Sequence, residues 1–202
     1  MMVTSNTALL LLDLQNEMVE EKGKIGSGGL AKVVADRGVL ERAAKVLAAA
    51  RIRGLLVVFV RVGFRADYAD ALSVAPRVAR MKANGAVVLG TWGTEFPAVI
   101  APRDSELIVT KQCVNPFYNT GLLNWLFARN IRKIVIGGVV TNLVVESTAR
   151  AADDAGLAVT VLEDCCAAPN PDWHQFAVQN TLPLFAEMSS SEAFTADLGS
   201  VR

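Results

Sequence analysis

Short apolar runs alternate along the chain with segments whose apolar residues recur at helical spacing. A continuous apolar run is typical of a strand that is covered on both faces, and a 3.6-residue period is typical of a helix face. The predicted strands are residues 8–12, 55–60, 106–110, 131–136, 157–162 and 186–189. The predicted helices are residues 39–50, 68–80, 122–127, 141–154 and 171–185. This alternation favours an α/β fold with a mostly parallel sheet.

The stretch between residues 61 and 102 departs from this alternation. It carries four glycines and three prolines, and only its centre has a helical pattern. Because loops on a rigid α/β scaffold commonly shape a substrate pocket, we expect residues 61–102 and 115–120 to determine specificity. The length of 202 residues fits a single domain over 1–202 with one elaborated loop region.

Charge and hydropathy argue against several classes of partner. Lys and Arg total 20, Asp and Glu total 20, and the isoelectric point is near 6.6, so nothing predicts binding to nucleic acid or to an anionic membrane. The apolar run near the N-terminus ends at Asp13 and is too short to cross a bilayer. We therefore expect a small-molecule substrate, no nucleic acid and no membrane.

The cysteines and the histidine argue against a fold held together by disulfide bonds or by a metal ion. The three cysteines are Cys113, Cys165 and Cys166, an odd number that includes two neighbours and does not indicate a disulfide framework. A reducing cytoplasm is the expected compartment. The single histidine, His174, and the lack of a C-x-x-C pair argue against structural zinc. We predict no metal and no cofactor, and a structural role for His174.

Three chemically distinctive features follow predicted strands. Asp13 ends the first strand, Lys111 ends a later one, and Gly137 with Gly138 leads from a third strand into a helix. Because ligands of open parallel sheets bind outside the carboxyl ends of the strands, we expect these features to meet at one site. A carboxylate facing an ammonium there shifts both pKa values and serves proton transfer.

The same features resemble a known family. Residues 138–150 read G-V-V-T-N-L-V-V-E-S-T-A-R, similar to the nucleophile turn of the isochorismatase-like cysteine hydrolases, typically G-V-x-T-N-x-C-V-x-x-T-x-R. Asp13 and Gln15 match the family's D-x-Q opening, and Lys111 with Phe117 matches its K-x-x-x-S-A-F segment. The resemblance implies a Rossmann-like, three-layer α/β/α fold with a six-stranded sheet. It also implies a homo-oligomer, a dimer or a tetramer.

The resemblance assigns roles to individual positions. The family's Asp, Lys and Cys triad falls on Asp13, Lys111 and Val144, so a valine stands where the nucleophile is expected. A non-prolyl cis peptide is expected at Val139-Val140, with the backbone N–H groups of Val140 and Val144 as an oxyanion hole. The residues expected to line the substrate pocket are Gln15, Trp92, Asn115, Phe117 and Thr141.

Other roles for these residues, including ordinary packing, remain open. Trp92 and Phe117 fit core packing equally well, and Val144 fits an ordinary helix residue that lines the pocket without covalent chemistry. Cys113 lies two residues beyond Lys111 and is a possible replacement nucleophile, although no base is obvious near it in the sequence.

Three functional hypotheses follow. The first is a hydrolase that uses Asp13 and Lys111 without a covalent thiol intermediate, cleaving a vinyl ether or a related bond with water. The second is an amidohydrolase acting on small amide, carbamoyl or ureido C–N bonds, whose nucleophilic cysteine has been replaced by Val144, naturally or by design. The third is a homologue that binds a small molecule without catalysis. We favour the first.

Overall fold

The apolar runs form the six strands of one sheet in the computed structural model, which describes residues 6–200. The strands are β1 Thr7–Leu12, β2 Leu56–Val62, β3 Leu107–Lys111, β4 Lys133–Val139, β5 Ala158–Ala167 and β6 Glu187–Ser189. Their order is β3-β2-β1-β4-β5-β6, and every neighbouring pair is parallel. The predicted α/β fold with a six-stranded, mostly parallel sheet is therefore confirmed.

Eight α-helices connect or flank the strands within residues 6–200. They are α1 Asn16–Val19, α2 Leu30–Asp36, α3 Val39–Ile52, α4 Pro76–Ala83, α5 Leu122–Ala128, α6 Glu146–Asp154, α7 Pro171–Phe176 and α8 Ser191–Ser200. None of these helices combines the length and the apolar composition that a bilayer crossing requires.

The central strand shows how the sheet separates two apolar layers. Successive side chains of β1 point to opposite faces, so a fully apolar strand contributes to both. Leu9 and Leu11 belong to the core that contains the inner face of α3, including Leu47. Leu10 and Leu12 belong to the core that contains the inner faces of α5 and α6. This arrangement explains why β1 carries no polar alternation.

The helix predicted at 68–80 is wrong in position. α4 begins at Pro76, which occupies the first helical turn, where the missing N–H of proline costs nothing. Tyr68 has a left-handed φ of 56° and lies in a turn instead. Its hydroxyl donates to the carbonyl of Ala86 at 2.6 Å, which ties this loop to the core. Tyr68 is buried, whereas Leu72 and Val74 are exposed, so the apolar pattern across 68–75 does not mark a buried helix face.

Two other predicted helices are interrupted. The segment from Thr141 to Val145 is a wide π-turn that precedes α6, and no side chain caps it. The predicted helix at 171–185 is α7 followed by a π-turn over Ala177–Thr181 and a 3₁₀ turn over Leu182–Leu184. Pro183 lies in that last turn, as a helix-breaking residue should.

Strand order reverses beside β1, and this creates a crevice at the carboxyl edge of the sheet. β2 and β4 flank β1, and their connections lead away in opposite directions, which is the usual position of a ligand site in open α/β sheets. Leu12 at the end of β1 pairs with Gly138 of β4. Gly138 has a φ of 149°, and a Cβ there would overlap the carbonyl oxygen of Leu12. Only glycine fits this close approach.

We expect Gly138→Ala to destabilise the protein by at least about 3 kcal/mol, because backbone atoms of β1 cannot move aside without breaking the sheet. Gly156→Ala is the matched control, since Gly156 also has a positive φ of 80° but has open space around its Cβ position. Gly156→Ala is expected to lower the free energy of unfolding by about 1 kcal/mol. Urea unfolding measures both, and equal losses would contradict the steric explanation.

Candidate active site

A small cavity of about 140 Å³ lies at the carboxyl edge of the sheet, where β1, β2, β3 and β4 end. Its walls are mostly apolar. The lining residues are Asp13, Met18, Ile25, Val62, Arg77, Met81, Lys111, Cys113, Val114, Val139, Val140, Leu143 and Val144. Pockets for drug-sized ligands typically enclose about 300–1,000 Å³, so this cavity fits a small substrate.

Asp13 and Lys111 form a buried ion pair in this cavity. Lys111 Nζ donates to Asp13 Oδ2 at 2.8 Å, and both side chains are almost completely buried. β2 lies between β1 and β3, so the two backbones are separated by about 9–10 Å. A long lysine side chain crosses that gap toward the short aspartate. The predicted meeting of these two residues is therefore observed.

The two carboxylate oxygens of Asp13 differ in their surroundings. Oδ2 accepts from Lys111, whereas Oδ1 is buried without a hydrogen-bond partner among residues 6–200. Burial raises the pKa of Asp13 above its ordinary value of 3.8, and the Lys111 ammonium opposes that effect. Asp13 also has a left-handed φ of 54°, which aspartate tolerates better than most residues. An unsatisfied oxygen with enhanced basicity is an available proton acceptor.

Lys111 is held by a second contact. Its Nζ also donates to the carbonyl oxygen of Cys113 at 3.1 Å. An ammonium has three N–H donors, and two of them are used by these acceptors. The third donor remains available to a group in the cavity.

The turn after β4 forms the opposite wall. The peptide bond between Val139 and Val140 is cis, at the position expected from the resemblance. The carbonyl oxygen of Val140 accepts from the N–H of Leu143 at 3.0 Å and from that of Val145 at 3.4 Å. The side chain of Val144 is buried and contacts the cavity. That Val144 occupies the nucleophile position stays a prediction from the resemblance, and its side chain presents only methyl groups to the cavity.

His174 supports this turn from behind. Its Nδ1 lies 2.9 Å from the hydroxyl of Thr141, and both side chains are buried. Its Nε2 lies 3.6 Å from Glu163. Burial, together with the nearby Arg37 guanidinium, lowers the pKa of His174 below its ordinary value. The imidazole therefore favours its neutral form and serves to position Thr141, in agreement with its expected structural role.

Gln15 and Thr141 lie next to the cavity but outside its lining. The Gln15 side chain donates to the carbonyl oxygen of Val62 at 3.0 Å and accepts from the N–H of Val62 at 2.8 Å. It also donates to the carbonyl oxygen of Gly93 at 3.2 Å. This fully buried amide continues the hydrogen bonding between β1 and β2 past the end of the strands. Gln15 thereby holds in place the backbone that carries Asp13.

Trp92, Asn115 and Phe117 also lie outside the cavity lining. Trp92 is partly exposed, and the ammonium of Lys22 lies 5.3 Å from its ring. The Asn115 side chain accepts from the N–H of Phe117 at 2.8 Å and so shapes its own loop. Phe117 packs against the core beneath α5 and α6. Phe117 therefore matches the packing alternative, whereas Trp92 is 41% exposed and belongs neither to the cavity lining nor to the core.

Several lining residues were not anticipated individually. Arg77 and Met81 lie one helical turn apart on α4 and face the cavity together. Both fall within 61–102, where specificity determinants were expected. Their spacing of four residues was visible in the sequence, but the misplaced helix obscured it. Met18 lies on α1, Ile25 in the loop that follows it and Leu143 in the turn before α6, and no sequence pattern indicated that they line the cavity.

Cys113 is the one cysteine on the cavity wall. Its thiol contacts the carbonyl oxygens of Asn115 at 3.1 Å and Tyr118 at 3.5 Å, which favours the protonated form. Burial raises its pKa further, against the opposing charges of Lys111 and Arg77. Cys165 and Cys166 are buried in the two cores, and burial raises the pKa of Cys166 to about 12. All three cysteines are free.

Comparison with known proteins identifies the family. The Isochorismatase domain family profile matches residues 7–193, which is almost the whole chain. The chain belongs to the isochorismatase family. Members of this family are hydrolases, so the expected enzyme class is confirmed. Within residues 6–200 of this isochorismatase-family protein, no group of three or more His, Cys, Asp or Glu side chains is arranged to hold a metal ion.

Individual relatives of this isochorismatase-family protein cover most of its length. It is 35% identical over 189 residues to the uncharacterised isochorismatase family protein YecD of Escherichia coli O157:H7, covering 92% of this chain and 93% of YecD. It is 33% identical over 172 residues to the ureidoacrylate amidohydrolase RutB of Variovorax paradoxus, covering 79% of this chain and 68% of RutB. A cysteine hydrolase structure from Pseudomonas syringae superimposes with a TM-score of 0.85 at 25% identity, covering 98% and 94% of the two chains.

We expect Lys111→Met to destabilise the protein by about 3–5 kcal/mol, because the substitution leaves the Asp13 carboxylate buried without a counter-charge. The stability lost in Lys111→Met should become smaller as the pH falls from 8 to 5, because protonation of Asp13 removes that buried charge. Adding Asp13→Asn to Lys111→Met should recover much of the stability. Lys32→Met in the exposed pair with Asp36 is the control and should leave the unfolding midpoint nearly unchanged. A loss independent of pH would contradict this account.

Proposed function

We propose that this protein hydrolyses a C–N bond in a small amide, carbamoyl or ureido compound, with water as the nucleophile. One observation carries the proposal: the unpartnered Oδ1 of Asp13 in a small, mostly apolar cavity. Similarity to the ureidoacrylate amidohydrolase of Variovorax paradoxus supports amide hydrolysis. The vinyl ether reading that we favoured from the sequence is therefore replaced by the second hypothesis, without its need for a thiol.

In the proposed reaction Asp13 acts first as a base and then as an acid. Its Oδ1 accepts a proton from water while the water oxygen bonds to the carbonyl carbon of the substrate. The carbonyl π electrons move to oxygen and form a tetrahedral oxyanion. Protonated Asp13 then gives its proton to the leaving nitrogen. The oxyanion electrons re-form the C=O bond as the C–N bonding pair leaves on nitrogen, and a carboxylic or carbamic acid and an amine or ammonia are released. Such acid–base assistance typically contributes about 10²–10⁴-fold.

Lys111 and the turn after β4 would stabilise the charge that develops. Lys111 keeps Asp13 oriented through Oδ2 and has a third N–H for the oxyanion or the leaving group. The backbone N–H groups of Val140 and Val144 are the proposed oxyanion hole. These donors belong to the main chain, so they do not require a cysteine at position 144. Preorganised donors of this kind are usually the largest single contribution to such catalysis.

The side chains around the site favour water over a thiol as nucleophile. Val144 places methyl groups on the cavity wall where the resemblance expects sulfur. Cys113 reaches the same cavity, but burial raises the pKa of its thiol above the ordinary value. Because the thiolate is the reactive form, Cys113 is a poor nucleophile.

A binding protein without catalysis is the second candidate, and the aliphatic side chain of Val144 favours it. It predicts that a small amide binds to the cavity without any product after days of incubation.

Cytoplasmic location and homo-oligomeric assembly also stay predictions. The three free cysteines support the cytoplasmic location.

We expect Asp13→Asn to lower kcat/KM for a ureido or amide substrate by about 10²–10⁴-fold, because the amide cannot accept the proton from water. In the unchanged protein, kcat/KM should fall as the pH drops through the raised pKa of Asp13, giving an acidic limb above pH 3.8. Product analysis by mass spectrometry over pH 4–9 measures both. Full activity of Asp13→Asn would contradict the proposed role.

We expect Val144→Cys to form a covalent acyl adduct during turnover, visible as a mass increase of the intact protein, because the new thiol would lie beside Asp13 and Lys111. The unchanged protein should turn over substrate without an adduct. Val144→Ala is the matched control that changes the side chain without adding sulfur. An adduct on the unchanged protein that disappears in Cys113→Ala would instead identify Cys113 as the nucleophile.

A further inference from the structure

The cavity contains one charge that the proposed reaction does not use. Its charged lining residues are Asp13, Lys111 and Arg77. Asp13 and Lys111 neutralise each other in their ion pair. Arg77 therefore gives the lining a net charge of +1. The remaining lining residues are apolar, apart from the thiol of Cys113.

Arg77 is not neutralised by the protein itself. It is half-buried on the first turn of α4, and within residues 6–200 its guanidinium forms no ion pair within 4.0 Å and no side-chain hydrogen bond. By contrast, the half-buried Arg37 and Arg51 are paired with Glu163 and Glu106. A guanidinium stays charged throughout the accessible pH range, so Arg77 needs an anion or water as its partner.

The charge of Arg77 acts on a group that lies close to Lys111. It acts on the thiol of Cys113, lowering its pKa against the larger raising effect of burial, together with Lys111. Lys111 itself contacts the carbonyl oxygen of Cys113. Arg77 and the Asp13–Lys111 pair therefore flank the same small space from α4 and from the sheet.

We propose that Arg77 binds a carboxylate of the substrate, so that the natural substrates are small amido or ureido acids. The planar fork of arginine matches a carboxylate in a bidentate arrangement, whereas a neutral amide cannot neutralise it. With a cavity of about 140 Å³, only a short spacer fits between the carboxylate and the scissile group. The binding of a carboxylate by Arg77 does not depend on the proposed hydrolysis. The identity of the substrates as amido or ureido acids does rest on it, since the carboxylate bound at Arg77 would direct the scissile carbonyl toward Asp13.

The selectivity for acids tests the proposal directly. 3-Ureidopropionate and propylurea share a ureido group and a three-carbon chain, and only the former has a carboxylate. We expect the unchanged protein to prefer the acid by at least about tenfold in kcat/KM, which corresponds to about 1.4 kcal/mol. Arg77→Gln should abolish that preference by raising KM for the acid, and kcat/KM for propylurea should change far less.

Arg80→Gln is the matched control. Arg80 lies on the same helix, is exposed and does not line the cavity, so this variant removes the same charge from α4 without touching the proposed subsite. Arg80→Gln should keep the full preference for the acid. Arg77→Lys should restore part of it, because lysine retains the charge but not the bidentate geometry. Circular dichroism and thermal unfolding check that all three variants fold.

Butyrate binding, followed by calorimetry, separates this inference from the proposed function. Butyrate has no scissile bond, and its affinity should fall at least about tenfold in Arg77→Gln and stay unchanged in Arg80→Gln. Arg77-dependent binding without hydrolysis of any ureido or amide compound would overturn the proposed function and support the anion subsite. No butyrate binding by the unchanged protein, or equal binding by Arg77→Gln, would overturn the subsite.

Discussion

The buried ion pair between Asp13 and Lys111 organises the functional edge of this protein. Neither residue is close to the other in the chain, and β2 separates their strands. A buried charge without a counter-charge at either position would strongly destabilise the folded state. Each residue therefore offsets the free-energy cost of burying the other. The hydrogen bonds of Gln15 to Val62 hold the ends of β1 and β2 in the register that this contact needs. The pair thus links the packing of the sheet to the chemistry at its edge.

The same pair gives the cavity its asymmetry. One carboxylate oxygen accepts from Lys111, and the other has no hydrogen-bond partner among the residues that the structure describes. In a cysteine hydrolase this carboxylate would assist a thiol, whereas here Val144 presents methyl groups at the matching position. In the proposed reaction, backbone N–H groups of the turn would serve as donors and Asp13 would supply the basic oxygen. What is proposed is therefore a shift from thiol to water within an otherwise familiar family site.

The positions that the sequence misjudged share one physical cause. Trp92 and Phe117 are large apolar residues, and their type suits a pocket wall as well as a core, so only packing separates the two roles. Asn115 satisfies the backbone of its own loop. Arg77 falls inside the helix predicted at 68–80, but the sequence pattern did not show that its side chain meets the cavity. Loop conformation depends on contacts with distant residues, and local periodicity does not contain that information.

The sequence by itself determined the strands, the parallel α/β class and the pairing of Asp13 with Lys111, because buried strands require continuous apolar runs and strand ends share one edge. The motif around Val144 also carried the resemblance to the family, and that resemblance implied the position of the cis peptide. Only the tertiary structure decided which oxygen of Asp13 is unsatisfied and that Arg77 faces the same cavity. Both facts depend on the distances and burial of groups brought together from separate elements, and these exist only once the chain has packed.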